Sequence, residues 1–246
     1  MAALAQFGSD QLMSTPKIIV PPSIDKNLPS LTRLRQALGG VTMLAAGTRI
    51  FRCVRGPKGV IPPYVDGTYR FGPPPRFAGA DGRFSTYWMY AAQDLMTALW
   101  ESGFCINDDT QPGTFYIPGA IAETGLVAIF TLQADIPILD LDGTVLSKLG
   151  IYDRIHDHNY GWCQWFGLRM FEVLNGFTGE FVPIGFRYPS RKHKSYSALA
   201  IQSCSLEDWR RQVEVQVTRF GDMPEFNALT SDANYAEPLD GGFSLD

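Results

Sequence analysis

Histidine, cysteine and excess positive charge are all scarce in this sequence, and each shortage argues against a class of function. Three histidines leave few candidates for a Ser-His-Asp triad. A net charge of −4 provides no positive field for a phosphate backbone, so we expect no direct nucleic-acid binding. No stretch approaches the ~20 apolar residues that span a bilayer, and the N-terminus lacks a secretory signal. We therefore expect a cytoplasmic protein that does not bind membranes.

Four motifs that would identify a common enzyme class are missing as well. The sequence has no G-x-G-x-x-G after a strand, no Walker loop, no G-x-S-x-G and no H-E-x-x-H. His156 and His158 are conceivable metal ligands, but no third ligand is suitably spaced, so we interpret this segment as a polar loop and expect no metal. The four cysteines form no Cys-x-x-Cys pair, and we interpret them as reduced, mostly buried thiols rather than disulfides.

The chain of 246 residues contains 24 glycines and 17 prolines, which favours many short elements within one α+β domain. Alternating or continuous apolar runs predict strands at 48–54, 87–92, 114–117, 126–132, 138–141, 181–188, 198–202 and 213–220. Helical spacing of apolar residues predicts helices at 31–39, 93–102, 145–151 and 160–175. We interpret residues 1–30 as an extended arm and the polar tail after residue 222 as a loose end.

Arginine and aromatic residues concentrate between residues 49 and 90, and Glu101 follows them at the C-terminal end of a predicted helix, where the helix dipole disfavours an acid. Arginine grips the oxygens of a pyrophosphate, and aromatic rings offer flat faces to nicotinamide or adenine. A carboxylate near a ribose stabilises an oxocarbenium-like transition state. The pattern fits scission of the N-glycosidic bond of a dinucleotide. The alternative is that Arg52 and Arg76 form ordinary surface salt bridges.

Five segments in a fixed order carry a resemblance to a known family. They are FRCV (51–54), GPPPRFAGADGRF (72–84), YWMYAAQDLMTALWE (87–101), YGWCQWFG (160–167) and GFRYPSR (185–191). Together they resemble the RES family of bacterial toxins, named for an arginine, a glutamate and a serine. The resemblance covers roughly residues 48 to 202. It implies a single domain similar to the catalytic core of ADP-ribosyltransferases, with mixed β-sheets and flanking short helices.

The resemblance also assigns residues to roles. It makes Glu101, Arg52 and Ser190 the catalytic residues. Arg52 and Arg76 would hold the pyrophosphate, and Tyr90 would stack against the nicotinamide.

Several of these assignments keep an alternative. Arg70, in the similar segment GTYRFGPP, is an alternative to Arg76. Ser190 could equally be a turn former. Tyr160 and Gln164 would line the same pocket, although the apolar stripe on their predicted helix is typical of a core.

The family further implies substrates and partners. Its members deplete NAD⁺ by phosphorolysis or hydrolysis, which makes NAD⁺ the expected substrate and inorganic phosphate or water the acceptor. They are usually neutralised by a helical antitoxin with an Xre-like DNA-binding region that covers the active site. Two other functions remain open: a protein ADP-ribosyltransferase, and a binding module without catalysis. Ala78 keeps the latter open, because the family has Asn or Asp at that position.

The expected organisation has three parts. Residues 1–45 form an N-terminal arm and short helix, residues 46–204 the RES-like catalytic domain, and residues 205–246 a C-terminal strand and tail packed on the same domain. The role of the two additions and a homo-oligomeric state stay open.

Overall fold

The computed structural model describes residues 19–237, which form ten strands and nine α-helices. The strands are β1 (Val41–Leu44), β2 (Arg49–Val54), β3 (Trp88–Ala92), β4 (Ile106–Asn107), β5 (Phe115–Tyr116), β6 (Leu126–Leu132), β7 (Ile136–Asp140), β8 (Gly185–Pro189), β9 (Ser197–Gln202) and β10 (Val213–Arg219). Eight of them build one sheet in the order β1-β7-β8-β9-β3-β2-β6-β10, and β4 pairs with β5 separately. Neighbours in the large sheet are antiparallel except β7 and β8.

The helices are short, and the longest is the most buried. They are α1 (Pro22–Asp25), α2 (Leu31–Leu38), α3 (Leu95–Ser102), α4 (Gly119–Thr124), α5 (Gly143–Leu149), α6 (Tyr152–Ile155), α7 (Tyr160–Asn175), α8 (Leu206–Gln212) and α9 (Pro224–Thr230). Helix α3 begins where the Asp94 carboxylate accepts the Thr97 N–H, and it ends at Gly103, whose φ of 75° closes the last turn. Eleven of the sixteen residues of α7 are buried. This helix is therefore part of the core.

Alternation along β3 divides the core between the two faces of the sheet. Trp88 packs with α7 and β8 on one face, while Met89 and Ala91 pack with Trp209 of α8 on the other. A third apolar cluster lies where α3, α4 and α9 cover the β2–β6 end of the sheet. The central strands of the sheet, β9, β3 and β2, are thus covered by helices. These buried strands hold the side chains of the candidate site in fixed positions.

The structure confirms the α+β class and a single sheet-centred domain. The predicted bounds of α7 and β6 are correct. The loose end predicted after residue 222 is wrong up to residue 237, because α9 brings Phe226 and Leu229 against Phe220. Helix α1 lies inside the predicted extended arm, and β1 and α8 were not predicted. Predictions for residues 1–18 and 238–246 lie outside the described residues.

The strand predicted from residue 181 begins only at Gly185, and Phe181 and Val182 are exposed. Among residues 19–237, no helix combines the length and apolar character that a membrane crossing requires.

Candidate active site

A cavity of about 760 Å³ lies beside β2 and β3, within the range of roughly 300–1,000 Å³ that small-ligand sites occupy. Four of the residues predicted from sequence line it: Arg52, Tyr90, Glu101 and Tyr160. Its lining holds six cationic side chains, Arg52, Arg55, Lys58, Arg70, Arg191 and Lys192, but only two carboxylates, Asp66 and Glu101. An acidic chain therefore carries a locally positive cavity, and such a cavity concentrates anions.

Arg52 lies on β2 with its guanidinium fixed by backbone groups. Its Nε donates to the carbonyl of Gly59 at 2.9 Å, and its Nη1 donates to the carbonyl of Tyr90 at 2.6 Å. Burial lowers the pKa of Arg52 to about 10, so the side chain stays protonated near neutral pH. It forms no ion pair with a carboxylate of the described residues. The charge remains available to a ligand.

Tyr90 lies on β3 and links this strand to the loop before it. Its hydroxyl accepts the Phe71 N–H at 2.9 Å, and its ring lies 6.2 Å from that of Tyr69 and 6.5 Å from that of Tyr188. Burial raises the pKa of the Tyr90 phenol, so it remains a neutral hydroxyl. Tyr90 therefore contributes an aromatic wall and fixes the position of the Arg70–Phe71 segment.

Arg70, and not Arg76, is the loop arginine that lines the cavity. Arg70 is only 6% exposed, lies over the rings of Phe71 and Tyr188 at 5.2 and 5.4 Å, and donates to the carbonyl of Ile155. Its Nε and Nη1 are buried without a hydrogen-bond acceptor among the described residues. Burial raises the pKa of the adjacent Cys163 thiol, although the positive charge of Arg70 opposes this shift. The neighbour of Arg70 is therefore a neutral thiol and not an anion. A buried cation without a carboxylate is costly unless an anion approaches it.

Arg76 lies elsewhere. It is exposed in a short 3₁₀ turn, Pro75–Phe77, with its guanidinium 4.4 Å from the ring centroid of Trp165. Trp165 belongs to α7 and, like Arg76, is not part of the cavity lining. The structure therefore favours the alternative assignment, Arg70, over the prediction of Arg76.

Glu101 lies in the last turn of α3 and is held by the turn between β8 and β9. Its Oε1 accepts the Ser190 hydroxyl at 2.5 Å, the Arg191 N–H at 3.0 Å and the Lys192 N–H at 3.4 Å. These donors offset the unfavourable position of an acid at a helix C-terminus. No residue between 19 and 237 donates to Oε2. One carboxylate oxygen is thus anchored and the other is open to a ligand.

Ser190 lies in the turn between β8 and β9, and Tyr160 forms a hydrogen bond with the same turn. Ser190 is 4% exposed and does not itself line the cavity, because its hydroxyl is enclosed between Glu101 and the His193 N–H. The Tyr160 hydroxyl accepts from Nη2 of Arg191 at 2.9 Å. Gln164, one turn further along α7, is buried and is not part of the cavity lining.

The cavity residues that sequence reasoning missed include Arg55, Tyr188, Arg191 and Lys192. Burial raises the pKa of Tyr188 well above its usual range and lowers the pKa of Lys192, with nearby Glu101 opposing the latter shift. The run of basic residues 191–194, directly after the Pro-Ser segment, was the available signal. Within residues 19–237, no group of three or more histidine, cysteine, aspartate or glutamate side chains has a metal-binding arrangement.

Comparison with known families identifies a family for this chain. A family model described as the RES domain matches residues 49–220, more than half of the chain. Neither a curated protein nor a solved structure matches. The likeness to the ADP-ribosyltransferase core therefore stays a prediction. The matched segment contains every residue of the cavity lining.

Proposed function

Because the chain belongs to the RES domain family, we propose that it binds NAD⁺ and breaks the bond between nicotinamide and ribose, as the toxin of a toxin–antitoxin pair. The observation that carries the proposal is the convergence of Arg52, Arg70, Tyr90 and Glu101 on one cavity. Two guanidiniums without carboxylate partners, an aromatic wall and a carboxylate with one open oxygen are the groups that this reaction needs.

The cationic side of the cavity is suited to the pyrophosphate of NAD⁺. Arg52 and Arg70 lack ion-pair partners within the described chain, and the charge of Arg70 acts in surroundings depleted of water. In such surroundings an attraction between opposite charges is much less screened than in bulk water. A pyrophosphate in the cavity supplies the missing anion, so the cost of burying Arg70 is offset when the ligand binds. Arg191 and Lys192 extend the positive lining towards Glu101.

The carboxylate side is suited to the ribose. In the proposed step, the bond between ribose C1′ and the nicotinamide nitrogen breaks, and its electron pair neutralises the pyridinium nitrogen. The ribose is left with oxocarbenium character, which the negative charge of Glu101 stabilises. Oε1 is held by three donors, which leaves Oε2 to approach the ribose hydroxyls or the developing cation. An oxygen of phosphate or water then bonds to C1′, and an attacking water loses its proton to solvent.

We propose an Xre-like antitoxin as the partner that covers this cavity. Two exposed aromatic side chains line the cavity, Tyr64 and Tyr69, which are 37% and 51% exposed. Exposed tyrosines at the rim of a charged cleft suit a protein interface, in which aromatic residues are enriched.

Substituting Glu101→Gln tests the reaction with little change in shape. The glutamine amide oxygen can still accept from Ser190 and the two backbone N–H groups, while the negative charge is lost. NAD⁺ turnover by the purified protein should fall by at least about 100-fold, as when a charge-stabilising group is removed from an active site. Glu180→Gln, at an exposed loop position, is the matched control.

The products distinguish the acceptors. Labelled NAD⁺ should yield nicotinamide with free ADP-ribose or its 1″-phosphate, and addition of inorganic phosphate decides between these two. Label transferred to protein instead would indicate an ADP-ribosyltransferase. The proposal fails if the wild-type protein leaves NAD⁺ intact, or if a folded Glu101→Gln variant turns it over at the wild-type rate.

A further inference from the structure

The turn between β8 and β9 is attached to α3 at a second place, away from Glu101. The Nδ1 atom of His193 lies 2.8 Å from the hydroxyl of Thr97 and 3.6 Å from the carboxylate of Asp94. Thr97 is fully buried, and its hydroxyl and N–H both donate to the same Asp94 oxygen, at 3.0 and 2.8 Å. Because that hydroxyl donates to Asp94, it accepts from Nδ1–H of His193.

The same histidine also holds the backbone of the turn. Its N–H donates to the Ser190 hydroxyl at 2.9 Å, and that hydroxyl donates in turn to Glu101. The His193 ring stacks on Tyr196 with centroids 4.1 Å apart and planes inclined by 3°. Ser195 between them has a φ of 71°, a left-handed conformation that few non-glycine residues adopt. Such a conformation persists only where surrounding contacts impose it.

Asp94, Thr97 and Glu101 follow one another at helical spacing on α3, so one stripe of the helix receives the whole turn. We infer that His193 is a positioning residue: by binding Thr97 and Asp94, it presses the Ser190–Lys192 segment onto α3 and fixes the Oε1 atom of Glu101. It does not line the cavity and needs no contact with substrate. The inference rests on the proposed function only in that Glu101 is the group being positioned.

Removing the imidazole should loosen one end of this arrangement and leave the arginines in place. His193→Ala is expected to lower kcat for NAD⁺ cleavage by about 10- to 100-fold, the range typical of lost support for a reacting group, with little change in KM. His193→Asn places an amide nitrogen near the former Nδ1 and should restore most of the loss. Thr97→Val, which removes the acceptor from a buried site without changing its shape, should reproduce a large part of the loss.

A double variant identifies the route of the effect. If His193 acts through Thr97, then His193→Ala combined with Thr97→Val should lose no more activity than His193→Ala alone. A purely structural role gives a different pattern: a lower melting temperature, with kcat unchanged in the fraction that remains folded. His158→Ala removes an exposed histidine and is the matched control.

Amide hydrogen exchange tests the inference independently of any reaction. The N–H groups of Arg191 and Lys192 are bonded to Glu101, so their exchange should accelerate at least about 10-fold in His193→Ala and stay unchanged in His158→Ala. This measurement remains informative if the wild-type protein proves unable to cleave NAD⁺, in which case only the proposed function fails. Unchanged exchange at both amides in folded His193→Ala would overturn the positioning role.

Discussion

Replacing Gly167 with alanine should displace the loop that carries Arg70. Gly167 lies in the middle of α7, where a Cβ atom would stand 2.7 Å from the carbonyl carbon of Phe71 and 3.0 Å from its Cα. The carbonyl oxygen of Phe71 would come closer still. Carbon atoms in ordinary contact lie about 3.5–4.0 Å apart, so the two backbones must separate by at least about 1 Å. The obstacle is backbone and cannot rotate away as a flexible side chain would.

The displacement affects stability and site in different ways. Alanine within a helix gains about 1 kcal/mol over glycine, whereas overpacking a well-filled interior costs about 1–3 kcal/mol, so we expect a net loss of up to about 2 kcal/mol. The site should suffer more, because the Phe71 N–H bonds to the Tyr90 hydroxyl and Arg70 precedes it directly. A misplacement of about 1 Å can reduce turnover by about 100-fold.

The assay combines urea denaturation with NAD⁺ turnover of the folded variant. Gly119→Ala is the control, since a Cβ there meets no atom within 4 Å at the start of α4, and it should be neutral or slightly stabilising. The reasoning would be refuted if Gly167→Ala matched Gly119→Ala in stability and retained full turnover. That result would mean that α7 and the loop do not approach each other as closely as the structure indicates.

Three further predictions concern buried groups. Arg70→Met should raise the free energy of unfolding by about 1–3 kcal/mol in urea denaturation, because an unpaired buried charge disappears, yet it should abolish NAD⁺ binding as measured by calorimetry. Arg76→Met should change neither quantity strongly. If binding were lost in Arg76→Met but kept in Arg70→Met, Arg76 and not Arg70 would be the loop arginine of the site. Burial raises the pKa of Cys53 and Cys105 to about 12 from 9.0, so iodoacetamide at pH 8 should label exposed Cys204 first, as read by mass spectrometry. In addition, the urea midpoint should fall as the pH rises above about 9, where the unfolded thiols ionise and the folded ones do not; a constant midpoint up to pH 11 would contradict the shifts.

Elements with a long, regular pattern were predictable from the sequence. Helix α7 has sixteen residues of helical spacing, capped by Asn159 and followed by Gly176, and its bounds were correct. The short helices α8 and α9 were not, because seven residues give too little periodicity to separate a helix from a loop. Their presence depends on apolar side chains that pack against distant strands, which local patterns do not report.

The candidate site shows the same division. Arg52, Tyr90 and Glu101 stand on a strand or helix that was itself predictable, and each lines the cavity. The loop arginine was ambiguous because Arg70 and Arg76 are each followed by phenylalanine and a small residue. What separates them is the close approach of Gly167 to the Phe71 backbone, a contact between positions almost a hundred residues apart. The role of His193 was not predictable, because its partner Thr97 lies on a helix almost a hundred residues earlier in the sequence.

The order of strands has a consequence for the protein while it is being made. Strand β3 lies between β2, which precedes it, and β9, which comes more than a hundred residues later. The donors to Glu101 also come from residues 190–192. A growing polypeptide therefore has neither a completed central sheet nor an anchored carboxylate until the segment up to Gln202 has left the ribosome. Until that point, the nascent chain cannot hold Glu101 in the arrangement that the proposed reaction requires.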